Sequence, residues 1–186
     1  MTGATPSMFL ARAGVCAFAL AMAACATPAS HLPRIAARES VDVSSPAFRD
    51  GGAIPSTFTC DGRNVHPPLR WRGGPPAEEF AIVMVDVDAN EFVHWAAYGI
   101  PGQVTSMEAG ILPTGTKEGT NGFEKVGYGG PCPPPGDGPH HYVFTVYSLR
   151  LAKGETVRTG ATVDELIEAI RCCIQARGSL AGTYGR

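Results

Sequence analysis

Residues 79–89, EFAIVMVDVDA, are apolar almost without interruption until two acids close the run. A short continuous run rich in β-branched residues predicts a strand buried on both faces. Asp86 and Asp88 share parity, so both side chains leave on one side if the strand persists through them. HWAAYGI (94–100) predicts a second strand, opening on His94. HYVFTVYSL (141–149) predicts a third, dense in aromatic and β-branched residues. Around its start, His140, Tyr142 and Phe144 share one face, while His141, Val143 and Thr145 take the other. FTCDGRNVHPPLRW (58–71) runs through turn residues, a thiol and an imidazole before a short strand. The period then changes. In ATVDELIEAIRCCIQARG (161–178), Val163, Leu166, Ile167, Ile170 and Ile174 form an apolar stripe at helical spacing. Thr162 followed by Glu165 forms a capping box, and Gly178 supplies a stop. Cys173, beside the stripe, is read as core. Many strands and one late helix predict an antiparallel β sandwich with a packed C-terminal helix.

Composition narrows this picture. The 186 residues are 44% apolar, which suits one folded domain. The 23 glycines and 16 prolines lie between short apolar runs, which favours a loop-rich β protein. A net charge of −2 without any basic run argues against nucleic acid as a partner. The N-terminus differs in kind. Arg12 precedes an apolar stretch, Ala13 to Ala24, whose length suits a secretory signal rather than a membrane span. It ends in MAAC, with Met22 where a lipobox usually has Leu. The expected organisation is a lipoprotein signal over 1–24, lipidation at Cys25, a tether over 25–40 and a domain over 41–186. An ordinary cleavage after Ala21–Ala23 is the alternative. The expected location is outside the cytoplasm, membrane-anchored and facing the periplasm or the cell exterior. Export leaves Cys60, Cys132, Cys172 and Cys173, which allow three pairings.

The chemistry gathers at strand ends, where rigid scaffolds present function. Asp86 ends one predicted strand, His94 opens another, and His140 and Tyr142 open a third. Ahead of the third lies GYGGPCPPPGDGPHHY (127–142), a stiff loop rich in Gly and Pro. Imidazole, phenol and loop backbone N–H groups are the donors that a phosphate needs. His31 and His66 are read as structural. No HExxH, CxxC or Gly-x-Ser-x-Gly motif is present.

Five blocks in order, CDGRNVHPPLRW, DVDA, HW, GYGGPCPPPGDGPHHYVFTVYSL and LAGTYGR, resemble the phosphatidylethanolamine-binding protein family, in its bacterial Raf-kinase-inhibitor-like branch. The resemblance covers about residues 41–186. It implies a β sandwich around a large central sheet, a helix near the C-terminus and a small anion pocket. Carried over by motif, the pocket residues are Asp86, His94, Gly130, Pro131, His140 and Tyr142. The family places the loops of Cys60 and Cys132 near that pocket, which makes them the expected disulfide. Asp86 is expected to orient His94 and favour its charged form, and a backbone N–H near Gly130 is expected to face the anion. Val87 and Asn90 replace family prolines, and only Glu91, Phe92 and Val93 separate that block from His94. Cys172-Cys173 stands where the family has a Gly-His pair.

The expected function is non-enzymatic binding of a phosphate-bearing small molecule or phospholipid head group, with no cofactor and no metal. One alternative is an inhibitor that docks on a protein such as a secreted protease. The other is a metal-assisted hydrolase using Asp86, His94 and His140.

Overall fold

The computed structural model describes residues 1–3, 39–150 and 157–186. The signal, Cys25 and most of the tether lie outside the described residues. The strands are β1 (Glu39–Ser40), β2 (Asp42–Ser44), β3 (Gly52–Ala53), β4 (Leu69–Arg72), β5 (Glu79–Asp86), β6 (Phe92–Pro101), β7 (Ser106–Met107), β8 (Lys117–Glu118), β9 (His140–Leu149) and β10 (Ile174–Tyr184). Helix α1 spans Val163–Ile170. The large sheet runs β1-β10-β9-β5-β6-β8, with β3 also on β10, and a small sheet runs β2-β4-β7. The sheets are antiparallel except that β1 and β3 lie parallel to β10. Glu39 and Ser40, placed in the tether on sequence, are therefore part of the sheet.

β5 lies between β9 and β6, and all but its first residue are buried. Two cores explain that pattern. On one face Ile82, Met84, Trp95, Phe144 and Leu180 meet Leu69, Trp71 and Met107 of the small sheet. On the other, Ala81, Val83, Val85, Ala96 and Tyr98 meet Val163, Leu166, Ile167 and Ile170 of α1. With both faces covered, an uninterrupted apolar strand is the stable solution.

The capping box holds: the Thr162 hydroxyl accepts from the Glu165 N–H, and Glu165 accepts from the Thr162 N–H at 2.8 Å. The helix is shorter than its stripe suggested. It ends at Ile170, and Ile174 begins β10, an 11-residue strand at the heart of the sheet. Gly178 is no helix stop; it pairs with Val146 inside the sheet. Its missing side chain has a packing reason, because a Cβ there would meet the Val41 carbonyl oxygen. Cys173 is half-buried rather than core, and Cys172 is exposed.

Candidate functional site

β5 stops at Asp86 because that side chain turns the chain. Its Oδ1 accepts from the N–H groups of Asp88 and Ala89, at 3.0 and 3.1 Å. Side-chain capture of the following backbone is the usual way Asp starts a turn. Asn90 and Glu91 then adopt left-handed φ of 55° and 56°, which closes the short link to β6. The shared parity of Asp86 and Asp88 is therefore lost. Asp88 Oδ2 instead accepts from the His141 backbone N–H at 2.6 Å and from its ring Nδ1 at 2.9 Å.

Asp86 and Tyr142 are cross-strand partners on β5 and β9, and this register brings His140 to the turn. His140 Nδ1–H donates to Asp86 Oδ2 at 2.7 Å, with the two side chains 12% and 4% exposed. The Asp86 hydrogen bond leads the causes that raise the His140 pKa, against partial burial, with the Asp86 and Asp88 charges and, last, the Asp137 side chain adding to it. His141 sits on the opposite, solvent face, as its parity predicts.

The expected Asp86–His94 hydrogen bond is not made. His94 Nδ1–H donates to the Gly129 carbonyl at 2.7 Å. Burial is the largest influence on His94 and lowers its pKa, against the Gly129 hydrogen bond and the Asp86 charge. A neutral His94 replaces the expected cation. It lies among aromatic rings, with Tyr142 at 5.1 Å, Phe92 at 5.2 Å and Phe123 at 5.4 Å between centroids. The Tyr142 hydroxyl is buried without a hydrogen bond. It faces the Asp86 carboxylate and the Cys132 N–H, and burial followed by Asp86 raises its pKa.

The Pro-rich loop is tied to the 56–64 segment in several ways. Cys60 and Cys132 form a disulfide, with 5.4 Å between their Cα atoms. Cys60 N–H donates to the Pro131 carbonyl at 3.1 Å, and the Tyr128 hydroxyl donates to the Phe58 carbonyl at 2.8 Å. Gly130 N–H donates to Asn64 Oδ1 at 2.7 Å. That N–H is spent inside the protein, so it does not face an anion. Gly130 must be glycine, because a Cβ would lie 2.5 Å from the Phe58 carbonyl oxygen.

Beyond this wall is a cleft of about 190 Å³ lined by Asn64, Asn121, Phe123, Lys125, Tyr128 and the disulfide. Of the expected site residues it shares only Gly130. Asn64, Asn121, Phe123 and Lys125 were not singled out on sequence. Asn64, with a φ of 54°, carried a usable signal, since Asn among turn residues is a candidate for left-handed backbone. A larger groove of about 780 Å³ involves the small sheet and includes none of the expected site residues. His66 is structural: it is buried, stacked on Trp95 at 4.9 Å, and its pKa is lowered, chiefly by burial. Among the described residues, no three His, Cys, Asp or Glu side chains are grouped as metal ligands, and no helix is long and apolar enough to cross a membrane.

The phosphatidylethanolamine-binding protein family model matches residues 44–185. The chain belongs to that family. It is 40% identical over 150 residues to a Mycobacterium tuberculosis protein named as a candidate lipoprotein, LppC, covering 80% of this chain and 74% of the relative. A UPF0098 protein of Pyrococcus abyssi is 41% identical over 158 residues, covering 80% and 86%. The crystal structure of Escherichia coli YbcL, described as a member of the mammalian PEBP family, superposes with a TM-score of 0.72 at 28% identity. That match covers 79% of this chain and 99% of YbcL. Membership agrees with the architecture described above: a large central sheet, a smaller one packed on it and a late helix.

Proposed function

We propose that this chain is a non-enzymatic binding protein that holds a phosphate-bearing small molecule or phospholipid head group at His140 and Tyr142. Asp86 favours the charged form of His140, while His94, Gly130 and Pro131 form the wall. The observation that carries this reading is the Asp86–His140 pair beside the buried Tyr142 hydroxyl. A ligand oxygen there would give that hydroxyl a further partner beside the Asp86 carboxylate and the Cys132 N–H. Charge-assisted hydrogen bonds contribute about 1.5–3 kcal/mol each, so losing one weakens binding about tenfold or more. Calorimetric titration of folded His140→Ala with glycerophosphoethanolamine, a phosphodiester, should show that loss, while His141→Ala stays within about twofold. Equal losses in the two variants would sink the assignment.

Export and a lipid anchor at Cys25 complete the proposal. MAAC and the relative named as a candidate lipoprotein support it. Cys25→Ser should move the protein from the membrane fraction to the soluble one. Full membrane retention of that variant would count against the anchor.

A further inference from the structure

The outward nitrogen of His140, the atom a ligand would use, already faces a carboxylate. Nδ1 is committed to Asp86, and Nε2 lies 3.6 Å from Asp137 Oδ2. The loop itself puts Asp137 there. Pro133, Pro134 and Pro135 lead up to it. Gly136 and Gly138 on either side adopt left-handed φ of 85° and 78°. Asp137 N–H donates to the Pro134 carbonyl at 3.1 Å, and Gly136 N–H to the Arg186 carbonyl at 3.3 Å. No burial demands this placement, since the Asp137 side chain is 62% exposed.

The charges around His140 do not favour a highly charged anion. Asp86 and Asp137 touch its two nitrogens, and Asp88 acts on it from nearby. His94, which also faces it, is biased towards the neutral form by burial. One imidazole, whose charged form these neighbours favour, therefore stands among three carboxylates, beside a buried phenol.

We propose that Asp137 is a specificity-determining residue whose carboxylate makes the seat accept monoanionic phosphodiesters and disfavour dianionic phosphate monoesters. This inference rests on the reading that His140 and Tyr142 hold a phosphate. A ligand oxygen that bonds Nε2 must share that nitrogen with Asp137 or displace it. Every additional negative charge on the ligand adds repulsion from Asp137. The pair is near the surface, so screening limits the effect to about tenfold in affinity.

Dimethyl phosphate and methyl phosphate test this at pH 7.5, where a monoester, with a second pKa of about 6, is nearly a dianion. Calorimetry on the unsubstituted protein should show dimethyl phosphate bound about tenfold more tightly. Asp137→Ser should strengthen methyl phosphate binding about tenfold and leave dimethyl phosphate within about threefold. Serine is preferred to asparagine here because an Asn-Gly sequence reverts to Asp by deamidation. Ring-nitrogen NMR should also show His140 losing its proton at lower pH in Asp137→Ser. Equal affinity of the unsubstituted protein for the two esters overturns the inference, and so does a variant that shifts both esters alike. If both esters bind through His140 without charge preference, only the role of Asp137 falls. If neither ester binds, the phosphate reading falls and takes this inference with it.

Discussion

Gly178→Ala should destabilise the fold by about 3 kcal/mol, the upper range for overpacking a filled interior. For a chain of this size that lowers Tm by roughly 6–12 °C. The new Cβ would collide with the Val41 carbonyl oxygen, so backbone rather than a flexible side chain has to yield. Val41 joins β1 to β2, and its N–H donates to the Arg177 carbonyl at 3.0 Å. Displacing it loosens the β1–β10 pairing and disturbs the strand that begins the small sheet. Ser179→Ala, at the exposed neighbouring position, should change stability by less than about 1 kcal/mol. Urea unfolding of the two variants gives the comparison. A Gly178→Ala loss as small as that of Ser179→Ala would mean that the β1–β2 segment does not pack on β10 as described.

The same glycine shows why part of the fold was legible in the sequence and part was not. β5 and β9 announce themselves, because each is an apolar run with β-branched or aromatic residues. α1 announces its start, because Thr162 and Glu165 form a local motif that needs no tertiary context. Its end is different. Ile174 continues the helical stripe, yet it pairs with Leu149 in the sheet. Through β10 the buried positions include Ala176, Leu180 and Gly182, which alternate at strand period but carry little apolar bulk. Two glycines weaken any strand reading on propensity. They are there because other segments press on the strand: Val41 against Gly178, and Ile54 and Phe48 against Gly182. Those contacts are tertiary and leave no periodic signature.

The site divides along the same line. Face sharing along β9 separated His140 from His141 correctly, because a strand fixes it locally. The partner of Asp86 depends on the register between β5 and β9, and on a turn that Asp86 itself forms. Both were invisible in one-dimensional order, in which His94 is the nearer imidazole. His94 is drawn instead to a carbonyl of the Gly-rich loop, whose position is set by Asn64, the disulfide and Tyr128. Family resemblance named the residues that gather here. It did not supply their bonding.

Asp86→Ala should cost about 3 kcal/mol near pH 6, because it removes the charge-assisted hydrogen bond from His140 Nδ1–H, worth about 1.5–3 kcal/mol. It also strips the Asp88 and Ala89 N–H groups of their acceptor. Asp86→Asn separates the two effects, since its amide oxygen can still serve the turn while the charge is gone. The pH dependence then follows from the direction of the His140 shift. Its pKa is raised in the folded protein, first by the Asp86 hydrogen bond. Stability from such a group is fully present below its unfolded pKa of about 6.5 and fades as pH rises through the folded value. The gap between the unsubstituted protein and Asp86→Asn should therefore be widest at pH 6 and narrow by pH 9. In a His140→Gln background the same substitution should show little of that pH dependence. Urea midpoints at the two pH values, read in all four proteins, complete the cycle. A gap that stays constant with pH, or survives unchanged without His140, would show that Asp86 acts through the turn alone and not by charging the imidazole.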